Sequence, residues 1–186
     1  MSTCKNLVAI MDELSSNAQL VKQEEVDAVV DLIVDAKRVF VAGAGRSGFA
    51  ISAFANRLTH LGLDVHFAGE ATCPAIATGD VIVIGSGGGS TSSMVSKAKQ
   101  AKAVGASVAT LTLNAQGQIG QMADAVVVVP GVSPHLEGAA AVTSIQPMGS
   151  AFEQMCFLIY DSMVLSLMER LGQDEDEMFS RHSNLE

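Results

Sequence analysis

The chain has 186 residues, of which 48% are hydrophobic and 17% are charged, and its formal net charge is −9. This length suits one domain with a sizeable core, and the negative charge argues against nonspecific binding to nucleic acid. No apolar run reaches the ~18 residues of a membrane span, and Lys5, Asp12 and Glu13 come too early for a signal peptide, so a cytoplasmic protein with no membrane partner is expected.

Helical and strand-like patterns alternate along the first two thirds of the chain. Apolar residues at helical spacing predict two amphipathic helices within residues 3–36. Strand–helix–strand repetition then implies an α/β fold with a parallel sheet and right-handed crossovers. The β-branched or continuously apolar runs that predict strands are 39–42, 65–67, 81–85, 107–113 and 125–129. Helical segments are predicted between strands at 47–61, 90–104 and, briefly, 117–123.

The pattern changes after the last strand. Residues 130–149 are punctuated by Pro and Gly, which predicts a long loop. The last residues, 172–186, are predicted to form a polar tail. No second domain is indicated, so residues 1–186 are expected to form one domain. Between loop and tail a long helix is predicted, with one apolar face made of Phe152, Cys156, Ile159, Met163 and Leu167.

Three predicted loops lie at the edge of the sheet where ligands bind. Ligands of an open parallel sheet bind beyond the carboxyl ends of the strands, at the point where the strand order reverses. The loops that reach this edge are 43–48, 68–74 and 85–91. We therefore expect the binding groups of this protein to come from them.

The first loop, GAGRSG, has the G-x-G-x-x-G form of a dinucleotide fingerprint. Its glycines permit a tight turn, and the helix that follows offers unpaired N–H groups to an anion, with Gly45, Arg46 and Ser47 nearest to it. Glu70, near the end of the second strand, stands where a dinucleotide fold places its ribose-binding acid. A dinucleotide, a smaller anion and a glycine turn with no ligand all fit this loop.

The second loop favours a compact phosphorylated ligand. Its sequence, SGGGST at residues 86–91, supplies three glycines and three hydroxyls before a helix start. Small residues permit a nest of backbone N–H groups, and hydroxyls donate to phosphate oxygens. Two anion-accepting loops on neighbouring strands suggest one phosphate held between them. The alternative is a flexible connection with Ser90 or Thr91 as the helix N-cap; a Walker A motif is excluded because no Lys follows the last glycine.

Together with these two loops, the segments AGEATCPA at 68–75, QPMGSAFEQ at 146–154 and RHSNLE at 181–186 resemble the 6-phospho-3-hexuloisomerase family, a single-domain group within the sugar isomerase (SIS) fold. The resemblance covers essentially the whole chain. It implies a flavodoxin-like three-layer α/β sandwich with a five-stranded parallel sheet of order 2-1-3-4-5. It also implies interconversion of arabino-3-hexulose 6-phosphate and fructose 6-phosphate in the ribulose monophosphate pathway of formaldehyde fixation.

The same resemblance implies that no cofactor is used and that homotetramers share their active sites between subunits. It assigns the phosphate to Ser47 and to a set of second-loop residues. The family usually has serine at 88 and glutamate at 90, so Gly88 and Ser90 depart from the pattern. One lost hydroxyl donor is worth ~1 kcal/mol, which predicts weaker phosphate binding rather than loss of function. The assigned second-loop residues are Ser86, Gly87, Gly89 and Thr91.

Glu153 and His182 are the catalytic candidates. By the resemblance, Glu153 is the base that moves a proton between neighbouring carbons, although Ser150 and Glu153 also have the spacing of a helix capping box. His182 resembles the family's acid or ring-opening group, reaching into a neighbouring subunit; the alternative is a histidine on a polar tail. Glu70 either binds substrate hydroxyls or is solvated, and Arg46 either faces the substrate or pairs with an acid.

The remaining histidines and the cysteines are expected to be structural. His60 ends a predicted helix, His66 alternates with apolar residues on a strand, and His135 stands alone in a loop. No metal-binding spacing is present, so no metal site is predicted. Two further functions stay open: a non-catalytic SIS module that senses a sugar phosphate, and another isomerase such as one for arabinose 5-phosphate. Reduced thiols are expected at Cys4, Cys73 and Cys156.

Overall fold

A computed structural model describes residues 3–132 and 143–185 of the chain. Two helices precede the first strand, as the apolar spacing predicts, and two more follow the last strand. The elements in chain order are α1 (Lys5–Ala18), α2 (Gln23–Val34), β1 (Val39–Gly43), α3 (Gly45–His60), β2 (Val65–Phe67), β3 (Val81–Gly85), α4 (Ser92–Ala103), β4 (Ser107–Thr112), β5 (Ala125–Val128), α5 (Ser150–Leu171) and α6 (Glu175–Ser180).

The five strands form one parallel sheet of order β2-β1-β3-β4-β5, which confirms the predicted order. The chain leaves β1 towards β2 and then returns to place β3 on the other side of β1, so the strand order reverses between β1 and β3. Gly43 at the end of β1 pairs in register with Gly85 at the end of β3. The loops that follow these two strands therefore lie side by side at the switch point, where ligands bind in such sheets.

Helices cover both faces of the sheet. Residues of β3 alternate between two apolar clusters: Val81 and Val83 face α2, α3 and α5, whereas Ile82 and Ile84 face α4. Because both faces are covered, a strand such as β3 is buried along its whole length. This explains why the strands read as continuous apolar runs in the sequence instead of alternating with polar residues.

The predicted short helix at 117–123 is wrong. The segment forms a series of turns between β4 and β5. Ile119 is fully buried in the smaller cluster, and its N–H donates to Gly89 O at 2.9 Å. Gly117 packs against the same loop, where a Cβ would lie 3.0 Å from Gly88 O. The apolar spacing that suggested a helix arises from contact with the second glycine-rich loop.

Helix α5 is long and apolar enough to cross a membrane by length and composition, with a mean hydropathy of 1.2 over its most apolar window. This differs from the expectation that no segment of the chain reaches that length. Half of that window is buried inside the protein, and Met155, Met163 and Leu167 are part of the larger apolar cluster. These features are typical of a core helix, and α5 packs against α3, α2 and α1.

An ion pair with a buried carboxylate lies at the amino end of β3, opposite the ligand edge. Asp80 is 2% exposed. Its carboxylate accepts hydrogen bonds from Arg38 Nη2 at 2.6 Å, Arg38 Nε at 3.1 Å and Ala77 N at 2.8 Å. Burial raises the pKa of the Asp80 carboxyl, but the hydrogen bonds from Arg38 and Ala77 outweigh it, so the net shift of the pKa is downward.

We expect Asp80→Asn to lower the free energy of unfolding by about 2–3 kcal/mol at pH 7, because a buried charged acceptor is lost. Since the folded pKa of Asp80 is depressed, its contribution is present above the unfolded pKa of about 4 and is lost as the pH falls through the folded value. Urea unfolding at pH 7 and pH 3 should show the two proteins converging at the lower pH. Asp31→Asn, at an exposed ion pair with Arg170, is the control and should change little. Equal differences at both pH values would contradict this.

Candidate active site

The three glycines of the first loop have two different roles. A Cβ on Gly43 would lie 2.9 Å from the backbone N and Cα of Gly48, and one on Gly48 would lie 2.9 Å from Gly43 O. These two residues must therefore be glycine for β1 and α3 to approach each other. Gly45 has φ +59°, and a Cβ there would have no neighbour within 4 Å. Gly45 is therefore the residue that turns the chain, and its backbone conformation, not crowding, favours glycine.

Helices α3 and α4 both begin at the ligand edge without a side-chain cap. Ala44 is the N-cap of α3 and Thr91 is the N-cap of α4, and neither side chain accepts a hydrogen bond there. The alternative in which a hydroxyl of the second loop caps α4 is therefore not supported. The first N–H groups of two neighbouring helices point to the same edge, which is the arrangement that binds anions.

The second loop is held by β4. Gly87 O accepts hydrogen bonds from Thr112 Oγ1 at 2.9 Å and from Leu113 N at 3.0 Å, and Gly89 turns the chain with φ +63°. Ser86 is 4% exposed, and its hydroxyl has no hydrogen-bond partner within residues 3–132 and 143–185. At Gly88 a Cβ would meet only Ser90 Oγ, at 3.7 Å. Crowding therefore does not require glycine at position 88.

Glu153 faces the first loop and does not cap its own helix. The expected capping box is absent, because Gly149 is the N-cap of α5 and the Ser150 hydroxyl donates to Pro147 O at 2.8 Å. Glu153 Oε2 instead lies 2.9 Å from Arg46 Nε. Arg46 Nη1 also donates to Ser150 Oγ at 3.2 Å. Arg46 therefore pairs with an acidic residue, and its role in facing the substrate stays a prediction.

Glu153 lines a small cavity and is itself largely shielded from water. The cavity measures about 230 Å³, and the Glu153 side chain is 18% exposed. Burial raises the pKa of the Glu153 carboxyl, and the charge of Arg46 opposes this without cancelling it. A carboxylate with a raised pKa is a stronger proton acceptor, which suits a general base. The cavity is lined by Arg46, Phe49, Ala50, Glu153, Gln154 and Phe157.

Several lining residues escaped prediction from the sequence. Gln154 Oε1 is buried and has no hydrogen-bond partner in the described part of the chain, as is true of Glu153 Oε2, whose contact with Arg46 lacks hydrogen-bond geometry. Phe49 is 77% exposed and Phe157 is 42% exposed, and both line the cavity. Phe157 follows Glu153 by four residues and therefore lies on the same side of α5. This spacing was the signal in the sequence that could have identified Phe157 as a neighbour of Glu153.

Glu70 lies apart from this cavity. It is exposed in the turn after β2, at the carboxyl edge of the sheet. Its backbone carbonyl accepts from Cys73 N at 3.1 Å, and its side chain makes no ion pair or hydrogen bond with the residues that the structure describes. Its role as a binding group for substrate hydroxyls stays a prediction.

One chain does not bring His182 to Glu153. His182 follows α6 and is exposed, with its ring centroid 5.3 Å from that of His60. His60 is the last residue of α3, whereas Arg46 is in the first turn of the same helix. Fourteen residues of helix separate them, which is roughly 20 Å. Within its own chain, His182 therefore lies at the opposite end of α3 from the catalytic candidate Glu153.

The other histidines that the structure describes, and the three cysteines, do not line this cavity. His60 is buried, with Nδ1 3.1 Å from Arg57 Nη1, and His66 Nε2 lies 3.0 Å from Asp64 Oδ1. His135 is not among the described residues. The thiols are unpaired: Cys156 is buried, Cys73 half-buried and Cys4 exposed. Among residues 3–132 and 143–185, no group of three His, Cys, Asp or Glu side chains could hold a metal ion.

Comparison with known proteins places the chain in a family. The SIS domain model matches residues 32–158. The chain is 42% identical to the 3-hexulose-6-phosphate isomerase of Bacillus subtilis over 186 residues, covering all of both chains. It is 41% identical to the enzyme of the same name from Mycobacterium gastri, covering 97% of this chain and 90% of the relative.

A solved structure has the same architecture over the whole chain. It is the crystal structure of a hypothetical protein from Methanococcus jannaschii, for which a molecular function of 3-hexulose-6-phosphate isomerase has been inferred. The TM-score is 0.83 at 29% identity, and the match covers 98% of this chain and 99% of that one. Motifs, sheet order and relatives agree, and the chain belongs to the SIS domain family, alongside its 3-hexulose-6-phosphate isomerases.

Proposed function

We propose that this protein is a 3-hexulose-6-phosphate isomerase that interconverts arabino-3-hexulose 6-phosphate and fructose 6-phosphate. The observation that carries the proposal is the position of Glu153, a largely buried carboxylate 2.9 Å from Arg46 of the first glycine-rich loop. An acid–base group thus stands beside an anion-binding edge, in a chain 42% identical to an isomerase of this name over its full length. The reaction belongs to formaldehyde fixation by the ribulose monophosphate pathway.

The two glycine-rich loops bind the substrate phosphate. The uncapped starts of α3 and α4 supply N–H groups with the positive ends of two helix dipoles. Hydroxyls of Ser47, Ser86, Ser90 and Thr91 supplement them, and Gly88 contributes only its N–H. Local groups of this kind are needed because the chain as a whole carries a net charge of −9. The phosphate anchors one end of the sugar and leaves its middle carbons near Glu153.

Glu153 performs the proton transfer between the middle carbons. Its carboxylate removes the proton from C2, beside the C3 carbonyl, and the electron pair of that bond forms the C2–C3 double bond of an enediol. The same carboxyl then returns the proton to C3, while the hydroxyl on C2 gives its proton back to the acid that protonated O3 and C2 becomes the carbonyl carbon. One carboxylate can serve both steps if the enediol is cis, because both carbons then present the same face. No redox cofactor is needed for this exchange.

His182 of a neighbouring subunit completes the site as the acid that protonates oxygen. An imidazole can donate and accept a proton near neutral pH. Its distance from Glu153 within one chain favours a shared site in a homotetramer, and exposed apolar residues on several helices support association. The large apolar residues exposed on α1, α3 and α5 are Leu7, Val8, Met11, Phe49, Phe157, Leu158 and Leu165.

Two other functions of the same site make different predictions. A non-catalytic sensing module would be stabilised by sugar phosphates without turning them over, and an arabinose 5-phosphate isomerase would prefer the pentose. The dinucleotide interpretation of the first loop predicts that NAD or NADP raises the melting temperature. The two bacterial relatives, which the chain matches over nearly their full length, favour a hexulose-phosphate isomerase over the sensing module, the pentose isomerase and the dinucleotide site.

An assay with both sugars tests the proposal. We expect purified protein to form fructose 6-phosphate from 3-hexulose 6-phosphate, detected with a coupled dehydrogenase, with a kcat/KM at least roughly a hundredfold above that for arabinose 5-phosphate. Boiled protein and the Glu153→Gln variant are the blanks. Turnover of the pentose alone, or ligand-induced stabilisation with no turnover of either sugar, would refute the assignment.

A further inference from the structure

Tyr160 has a buried hydroxyl with no hydrogen-bond partner among the described residues. The residue lies in the middle of α5, is 1% exposed, and stacks on Phe54 with ring centroids 4.7 Å apart and an interplanar angle of 14°. A buried hydroxyl without a partner is unfavourable, and phenylalanine would fill the same space without that cost. Packing alone therefore does not explain why this position carries a tyrosine.

The Tyr160 hydroxyl lies where the two glycine-rich loops meet. A Cβ added to Gly85, the last residue of β3, would lie 3.0 Å from Tyr160 Oη and 3.7 Å from Ser47 O. Gly85 leads directly into the second loop, and Ser47 belongs to the first turn of α3. The next residue, Ser86, has a buried hydroxyl that also lacks a partner in the described chain. Two unpartnered hydroxyls thus lie at the junction of the proposed phosphate loops.

We propose that Tyr160 is a positioning residue for the substrate phosphate, whose hydroxyl gains its hydrogen bond when an anion is seated between the two loops. The inference rests on the proposed phosphate site. Because Tyr160 Oη is sealed from solvent in the ligand-free chain, the loops must shift when the anion is seated for this hydroxyl to donate its hydrogen bond.

The position of Tyr160 on α5 connects this link to the catalytic group. Tyr160 follows Glu153 by seven residues, which is two helical turns, so the two side chains lie on the same side of α5. A hydrogen bond from Tyr160 towards the phosphate ties that side of α5 to the loops.

The variant Tyr160→Phe removes the hydroxyl and keeps the stacked ring. We expect the ligand-free variant to melt at the same temperature or higher, since no hydrogen bond is lost, and its affinity for inorganic phosphate and for fructose 6-phosphate to fall roughly five- to thirtyfold. KM should rise with kcat within roughly threefold of the wild type. Met163→Leu, fully buried one turn further along α5, is the matched control and should bind both ligands normally.

A spectroscopic readout tests the wild-type protein directly. The chain has one tyrosine and no tryptophan, so its near-ultraviolet tyrosine absorption and emission come from Tyr160 alone. Titration with inorganic phosphate should change this signal with the midpoint given by thermal-shift binding. An unchanged spectrum at saturation, or wild-type phosphate affinity in Tyr160→Phe, would overturn the inference. If the wild type binds phosphate but lacks isomerase activity, the proposed function fails and these two measurements still decide the role of Tyr160.

Discussion

Glu153→Gln is expected to lower kcat for fructose 6-phosphate formation by about a thousandfold, within the roughly 10²–10⁴ range that a positioned general base contributes. Glutamine keeps the size of glutamate and one acceptor oxygen but cannot accept the proton from carbon. The phosphate loops do not depend on Glu153, so the dissociation constant of fructose 6-phosphate should stay within roughly threefold of the wild-type value. Stopped-assay turnover and ligand-dependent melting give the two quantities.

The control for this variant is a second acid on the same helix. Asp161→Asn removes a carboxylate from an exposed position of α5, eight residues after Glu153, and should retain wild-type kcat. Near-native turnover by Glu153→Gln would refute the assignment of Glu153 as the general base. Equal losses in both variants would instead mean that the charge of α5, and not the chemistry of Glu153, governs the rate.

The pH dependence of the wild type adds a check on the same carboxyl. Burial raises the pKa of Glu153, and the base works only when it is ionised. The kcat/KM value should therefore fall as the pH drops through a pKa above the ordinary range of a glutamate. The Arg46→Met variant lacks the positive charge that lowers the pKa of the Glu153 carboxyl. In this variant the fall in kcat/KM should therefore occur at a still higher pH.

The sheet could be predicted from the sequence because its signals are local. Runs such as the one at 81–85 are apolar throughout, and a strand covered on both faces needs no alternation. The strand order itself came from the family resemblance, since neighbouring runs do not say which pairs with which. The helix predicted at 117–123 was wrong for the opposite reason. Ile119 is buried against a loop about 30 positions earlier, and no local sequence pattern records such a contact.

The candidate site likewise has one part that could be predicted from the sequence and one part that could not. Both glycine-rich loops are continuous segments, so their position at the sheet edge follows once β1 and β3 are neighbours. Glu153 was identified from its motif, but its partner Arg46 lies 107 positions earlier, and the nearby Ser150 offered a capping box that proved wrong. The gap between His182 and Glu153 likewise depends on how α3 and α6 pack, which sequence spacing cannot show.

The separation of His182 from Glu153 within one chain can be tested with mixed subunits. Glu153→Gln and His182→Asn are each expected to be inactive or nearly so alone, the second by about a hundredfold or more. If every site takes Glu153 from one subunit and His182 from another, co-refolding the two variants in equal amounts should restore activity. Random assembly would make roughly one quarter of the sites wild type in both residues. Turnover per site, before and after co-refolding, measures the recovery.

The decisive comparison uses the double variant. Co-refolding Glu153→Gln with Glu153→Gln/His182→Asn leaves no site with its carboxylate, so this mixture must stay inactive under the same treatment. Recovery in the first mixture and not in the second requires that side chains from two subunits meet in one site, because within a chain Glu153 and His182 lie beside opposite ends of α3. Full activity of His182→Asn alone would remove the histidine from the mechanism, and an inactive first mixture would place Glu153 and His182 of each working site in the same subunit.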